Sequence, residues 1–401
     1  MSTLNAHRLL AGTDTKIGFK QNISLSQKDW DNLIRVRNLI RTTLRRGFSE
    51  LSEEPSQKAV LLERRYATLA REASFKVAPR FRMQGSFSYR TVNHPAWAPP
   101  QEIDLDDGVY LPVSFTSQTT PVIAATAFFR AVKEMLLPLS VEQGWTMVEK
   151  SSCVRIILDT KVHLDLPLYS IPDEDFHDPE IVAKADGLAL DEAMRAEISL
   201  ESFREIPKDR IMLALSKGEW MQSDPRKMEN WFQSAVNQHG QHLRRISRYL
   251  KAWRDWQWET QGEGMSSICL MACAVTAFDE AAGCLADNRD DLALQHVAGR
   301  LPHLLANPIT NPVVEDLLLD DGWTDEQRDK YVELAWDLKR HIDAAMNSNS
   351  PDTVISKMRL ALGDRIPRDT SLISDDTQEI DILSVAARRV AAPAVPRSTS
   401  G

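Results

Sequence analysis

Cysteine is scarce in this 401-residue chain: there are four, Cys153, Cys269, Cys273 and Cys284. No two form a Cys-x-x-Cys pair and no histidine follows at finger spacing. The pattern argues against a structural zinc site and fits a reducing, cytoplasmic setting. Long apolar runs are missing as well. The longest, Ile268 to Phe278, is interrupted by Thr276 and closed by Asp279 and Glu280. It falls well short of the ~20 residues that span a bilayer and reads as a buried core helix. The opening MSTLNAHRLLAGTDTK has no basic segment leading into an apolar one, so no secretory signal is expected. Basic charge does not dominate: 48 Lys and Arg stand against 57 Asp and Glu. The net charge of −9 argues against broad binding to DNA or RNA, while leaving room for a local basic groove. There is no internal repeat, no coiled-coil pattern, and no serine or cysteine set beside a histidine as in a covalent hydrolase. A monomer is expected.

What is present is a globular composition, 43% hydrophobic, at a length that suggests two or three domains. Ser24 to Phe48 has helical spacing in Trp30, Leu33, Ile34, Ile40 and Leu44, a Ser26/Asp29 capping pattern at its start and Gly47 as its expected stop. A second helix is expected over Glu54 to Ala73. Phe75 to Arg90 is turn-rich. Ile103 to Val113, Ser152 to Asp159 and Lys161 to Tyr169 read as strands, and Pro121 to Leu137 as a helix. The N-terminal region is thus α+β with a mixed or antiparallel sheet. From about residue 185 the periodicity is helical: Pro225 to Gln238, Gly240 to Trp258, Ser266 to Ala286, Asp290 to Arg300, Asp325 to Asn347 and Pro351 to Leu362. The expected division is a catalytic lobe over 1–180, a helical lobe over 181–365 and a flexible tail over 366–401, ending in RRVAAPAVPRSTSG.

The chemistry concentrates in QGSFSYRTVNHPAWAPPQEIDLDDGVYLP, Gln84 to Pro112. On a strand, residues i and i+2 share a face, so Asp104 and Asp106 stand side by side while Asp107 points the other way. Such a pair is either surface charge and turn capping or a platform for a hard cation such as Mg²⁺. Asp165 is a lone acid in the apolar HLDLPLY. If the two strands are neighbours, Asp104, Asp106 and Asp165 converge into a set able to hold two cations for in-line phosphoryl transfer. Gly85-Ser86 is a turn that lets backbone N–H groups approach a phosphate chain closely. His163 is expected to be a strand residue with a structural hydrogen bond, and HGQH (239–242) a turn between helices. Cys269 and Cys273, at i and i+4, read as buried small hydrophobes.

The order GSFSYRT, EIDLDDGVYLP, HLDLPLYSIP resembles the bacterial cGAS/DncV-like nucleotidyltransferases, which are of polymerase-β type, and within them the branch that makes cyclic GMP-AMP. RYLKAWRDWQW (248–258) and GMSSICLMA (264–272) carry the resemblance to about residue 320. It implies an α+β catalytic lobe and a helical lobe, with ATP and GTP as substrates and two Mg²⁺ ions (Mn²⁺ as a substitute) as cofactors. It assigns Asp104, Asp106 and Asp165 as catalytic metal carboxylates and Gln84, Gly85 and Ser86 as the donor-triphosphate turn. Lys251, and Ser266 or Ser267, are assigned to the phosphates, and Arg155 to the acceptor base. Read from the residues alone, Lys251 is an exposed side chain snorkelling along its helix, and Ser266 or Ser267 a helix N-cap. The tryptophans of the 248–258 segment read as core. The resemblance further implies a product-activated effector in anti-phage (CBASS) defence. Gly401 is either a conjugation point for a ubiquitin-transfer-like enzyme or an ordinary chain end. The alternative readings are another cyclic or linear oligonucleotide, or a non-catalytic nucleotide-binding protein on the same scaffold.

Overall fold

The computed structural model describes residues 4–53, 79–113, 124–172, 210–258 and 264–375. The expected helix at 54–73 and the tail with Gly401 lie outside them. In the first part of the chain the elements are β1 (Leu4–Asn5), α1 (His7–Ala11), α2 (Phe19–Asn22), α3 (Gln27–Glu53), β2 (Arg80–Met83), α4 (Gly85–Ser88), β3 (Ile103–Val113), α5 (Ala125–Gln143), β4 (Thr146–Glu149), β5 (Cys153–Ile157) and β6 (Val162–Pro172). There follow β7 (Met212–Ala214), β8 (Trp220–Gln222), α6 (Pro225–His239), α7 (Gln241–Gln257), α8 (Ser267–Glu280), α9 (Asp290–Leu305), α10 (Asp325–Met346), α11 (Pro351–Leu362) and β9 (Ser374–Asp375). No described helix is long and apolar enough to cross a membrane.

Helix α3 begins as its sequence indicates. The Ser26 hydroxyl accepts from the Asp29 N–H at 3.1 Å and donates to its carboxylate at 2.6 Å. It does not stop at Gly47. The glycine lies where α3 meets α5, and a Cβ there would fall 2.6 Å from Met135 Cγ. Gly47 therefore permits a close helix approach rather than ending a helix.

The main sheet has the order β2-β3-β6-β5-β4, with β7 joined to the far part of β6 and β8 to β7. Strands β3 and β6 run parallel and the remaining pairs are antiparallel, so the sheet is mixed. One face packs on α3 and α5: Leu105, Val109, Leu164, Leu166 and Ile156 join Leu33, Ile40, Leu44, Phe128 and Val132 in one core. A second core fills the space between α6 and α11, with Trp253, Leu270, Leu294 and Leu338 among its members. The catalytic lobe was expected to begin at residue 1. Leu4, Leu9, Leu10, Phe19 and Ile23 pack into the helical core instead. The chain start is held there because Leu4 pairs opposite Asp375 and the Ala6 N–H donates to Asp291 at 2.8 Å.

Asp107 faces away from Asp104 and Asp106, into the core between β3 and α3, where it is fully buried. Arg41 of α3 clamps it with two N–H groups, one at 2.7 Å. Arg41→Met strands a buried carboxylate, and we expect a loss of about 3–5 kcal/mol in urea unfolding. Arg41→Met/Asp107→Leu restores most of it, because the pair is then replaced by apolar packing.

Candidate active site

Parallel pairing of β3 with β6 sets Asp104 opposite His163 and Asp106 opposite Asp165. Antiparallel pairing of β6 with β5 sets Arg155 opposite Asp165. Two adjacent rungs of one sheet face thus carry Asp104–His163 and Asp106–Asp165–Arg155. Arg155 donates two hydrogen bonds to Asp165, at 2.8 and 2.7 Å. That bond raises the Arg155 pKa above its ordinary value. His163 Nε2 lies 2.9 Å from Asp104 Oδ1 and its Nδ1 lies 2.7 Å from Glu102 Oε2. Burial works against charge on His163, but the contact with Asp104 outweighs it and the pKa is raised. No described cation pairs with Asp106. Burial first, then the charges of Asp104 and Asp165, push its pKa up to about 7.

These residues fit a divalent cation. Asp104, His163 and Asp165 offer ligand atoms within 4.8 Å of one another. Asp104 Oδ1 and His163 Nε2 are buried and neither has a well-aligned hydrogen-bond partner. Asp106 feels the charges of Asp104 and Asp165, whose carboxylate oxygens are ligands that hard cations prefer, and a cation there would offset the part of its raised pKa that comes from those charges.

The Gly-Ser turn lies against this cluster. Gly85 adopts φ +60°, and a Cβ on it would sit 2.2 Å from Asp106 Oδ2. The preceding Gln84 N–H donates to Asp106 O at 2.9 Å. The turn is therefore built onto the acidic strand, and only glycine permits the approach.

The opposite wall comes from the helical region. Lys251 of α7 is 5% exposed and donates from Nζ to Thr91 O at 2.7 Å. Burial, chiefly, brings its pKa down to about 7. The exposed-lysine alternative is thereby overturned, because α7 packs that face against the loop after the Gly-Ser turn. Ser266 caps α8, its hydroxyl accepting from the Cys269 N–H at 3.1 Å, and Ser267 Oγ accepts from Arg254 at 3.1 Å.

Gly85, Ser86, Asp104, Asp106, Lys251, Ser266 and Ser267 all line one cleft of about 630 Å³ between the two regions. Asp165 adjoins it through Asp106. Gln84 and Arg155 are placed elsewhere. The Gln84 amide donates to the Tyr110 hydroxyl at 2.7 Å and accepts from Tyr169 at 3.2 Å, beneath the turn. Arg155 is spent on Asp165. Sequence reasoning missed Arg254, Asp255 and Trp258, which also line the cleft. Their signal was available: they follow Lys251 by three, four and seven positions, one helical face. The other two tryptophans of the 248–258 segment are structural, Trp253 being buried and Trp256 stacked on Trp97 at 4.8 Å.

Comparison with known proteins identifies the family. Residues 79–169 match the model for the nucleotidyltransferase domain of cyclic GMP-AMP synthase DncV-like proteins. Residues 240–375 match that for the C-terminal domain of cyclic GMP-AMP synthase. The cyclic GMP-AMP synthase of Vibrio cholerae serotype O1 is 31% identical over 310 residues, covering 74% of this chain and 70% of the relative. That of Escherichia coli strain TW11681 is 34% identical with the same coverage. The chain belongs to the DncV-like nucleotidyltransferases. Among DncV structures, a mutant of the Vibrio cholerae di-nucleotide cyclase in complex with ATP, GTP and 5MTHFGLU2 superposes with TM-score 0.74 at 27% identity, covering 93% of this chain and 99% of that one. The same enzyme with the linear intermediate 5′ pppA(3′,5′)pG gives 0.71 at 27% identity, covering 94% and 99%. The protein is a nucleotidyltransferase, with the α+β fold of the DncV catalytic domain and a helical C-terminal region.

Proposed function

We propose that this DncV-like enzyme joins ATP and GTP into a cyclic dinucleotide, cyclic GMP-AMP, by two successive phosphoryl transfers that each release pyrophosphate. The observation that carries the reading is the pairing, across one cleft, of three clustered carboxylates with a buried lysine and a glycine turn. Kinship with cyclic GMP-AMP synthases supports the choice of nucleotides. Two Mg²⁺ ions, or Mn²⁺ in their place, held by Asp104, Asp106 and Asp165, would supply charge neutralisation at the transferring phosphoryl group. The Gly85–Ser86 turn binds the donor triphosphate through backbone N–H groups and a hydroxyl, and Gln84 holds the turn from below. The N-terminus of α8, with Ser266 and Ser267, presents a positive helix end to the same phosphates. Arg155 keeps Asp165 aimed along the sheet, and its assignment to the acceptor base requires it to leave that carboxylate. Positioning and electrostatics carry the reaction and no covalent enzyme intermediate is needed. In this reading the product would activate a downstream effector in anti-phage defence.

The test is incubation with the four NTPs and Mg²⁺ or Mn²⁺, one α-³²P label at a time, followed by phosphatase and mass spectrometry. A resistant product carrying A and G label is expected. A product with other labels would replace the nucleotide assignment, and absence of any resistant species would remove cyclisation.

Lys251 gives this reading a proton signature. Its pKa near 7 leaves it largely neutral at pH 8, while a triphosphate beside it favours the charged form. Binding of a non-hydrolysable donor at pH 8 should take up most of one proton at this group, and little well below pH 7. Calorimetry in buffers of different ionisation enthalpy measures the uptake. The difference should vanish in Lys251→Met, which also binds more weakly below pH 7.

A further inference from the structure

The three carboxylates are fixed in three different ways. Asp165 is held by two N–H groups of Arg155. Asp106 lies against the Gly85 backbone. Asp104 makes neither contact; its Oδ1 lies 2.9 Å from Nε2 of the His163 imidazole. That ring is 1% exposed on its side chain and cannot drift. Its far nitrogen is tied to Glu102 at 2.7 Å, and Glu102 stands on the same edge of the cleft as Asp104, two residues earlier. The chain Glu102–His163–Asp104 thus runs from the rim of the cleft, through a buried ring on β6, and back to a carboxylate on β3.

We propose that His163, anchored by Glu102, is a positioning residue that sets the Asp104 carboxylate for its cation. Its Nε2 stands 2.9 Å from Oδ1, off the line of a well-formed hydrogen bond, and restrains the carboxylate from that side by close approach. The inference rests on the proposed metal role of the carboxylates. It assigns no nitrogen ligand, in keeping with the oxygen preference of Mg²⁺. Groups that orient metal ligands in this way typically affect metal affinity about 10–100-fold.

The geometry separates the two contacts. In His163→Asn the amide nitrogen falls near the former Nδ1, keeping Glu102 and releasing Asp104. In His163→Gln it falls near Nε2 and keeps Asp104. Mn²⁺ binding is read by the loss of the free-ion EPR signal on the wild type, both His163 variants, Glu102→Gln and Asp104→Asn, each checked by thermal melting. We expect His163→Asn to weaken Mn²⁺ binding about 10–100-fold, with His163→Gln and Glu102→Gln less affected. The metal concentration for half-maximal rate should rise while the rate at saturating metal largely recovers. Glu102 is only partly buried, and Glu102→Ala, which removes the anchor of the ring altogether, carries the test if the buried His163 variants fail to fold: weaker Mn²⁺ binding is expected, and unchanged affinity overturns the inference. Wild-type binding with unchanged affinity in the folded variants overturns the inference alone. A directly bound imidazole ¹⁴N in the pulsed EPR spectrum of wild-type Mn²⁺ protein also overturns it, making His163 a ligand. No Mn²⁺ binding by the wild type removes the metal reading and this inference with it.

Discussion

Asp106→Asn should abolish product while making the metal-free protein more stable. Asp106 is pushed up to about 7 by burial and by the charges of Asp104 and Asp165. Between the ordinary carboxylate pKa and 7, the folded state holds a proton that the unfolded state has already lost. Rising pH therefore favours unfolding across that window, and the loss is complete above 7. Asparagine removes the titration. Its melting temperature should match that of the wild type near pH 4 and exceed it increasingly up to pH 7, by about 2–4 °C for each kcal/mol involved. Activity should move the other way. Losing several kcal/mol of charge stabilisation at the phosphoryl group costs about 10³-fold or more. Asp104→Asn shares the activity loss. The radiolabel assay and pH-series melts check both halves. Near-normal product from either variant would sink the assignment of these carboxylates.

Much of this site was legible because it depends on short-range pattern. Alternation on Ile103–Val113 put Asp104 and Asp106 on one face and Asp107 on the other, and the register bears this out. The six helices of the C-terminal half were placed within a few residues, apart from the ends of α8 and α9. Their start signals, such as Asp224, Ser266 and Thr324, are local. What escaped was long-range. Gly47 looks like a stop until α5 is seen against it. The three- and four-residue strands β4, β7 and β8 are too short to show a period. Asp107 is separated from its partner Arg41 by 66 positions, and His163 from Glu102 by 61. Gln84 and Arg155 were assigned to nucleotide because motif spacing names positions, not the direction in which a side chain leaves the sheet. Their partners, Tyr110, Tyr169 and Asp165, are set by strand register, which no single segment reveals.

Gly85→Ala should be the most damaging single-methyl change in the cleft. Two effects add. Alanine at φ +60° is strained by about 1–2 kcal/mol. The new Cβ would also lie 2.2 Å from Asp106 Oδ2, so the carboxylate or the turn must move. In the proposed reading, either movement displaces a metal ligand from the phosphate-binding turn. A misplacement of about 1 Å can cost 10²-fold in rate, and we expect a loss of at least that size. The strain and the clash can be separated by a double-mutant cycle on stability. In the Asp106→Ala background the carboxylate is gone, so Gly85→Ala should cost only the backbone strain. The difference between its costs in the two backgrounds measures how hard the turn leans on the acid. A coupling above about 0.5 kcal/mol would establish that the Gly85–Ser86 turn and the Asp106 carboxylate are one rigid unit, so that the acid itself requires glycine at this position. Equal costs in both backgrounds would mean that the turn is shaped independently of Asp106, and the close approach would then have no part in the chemistry.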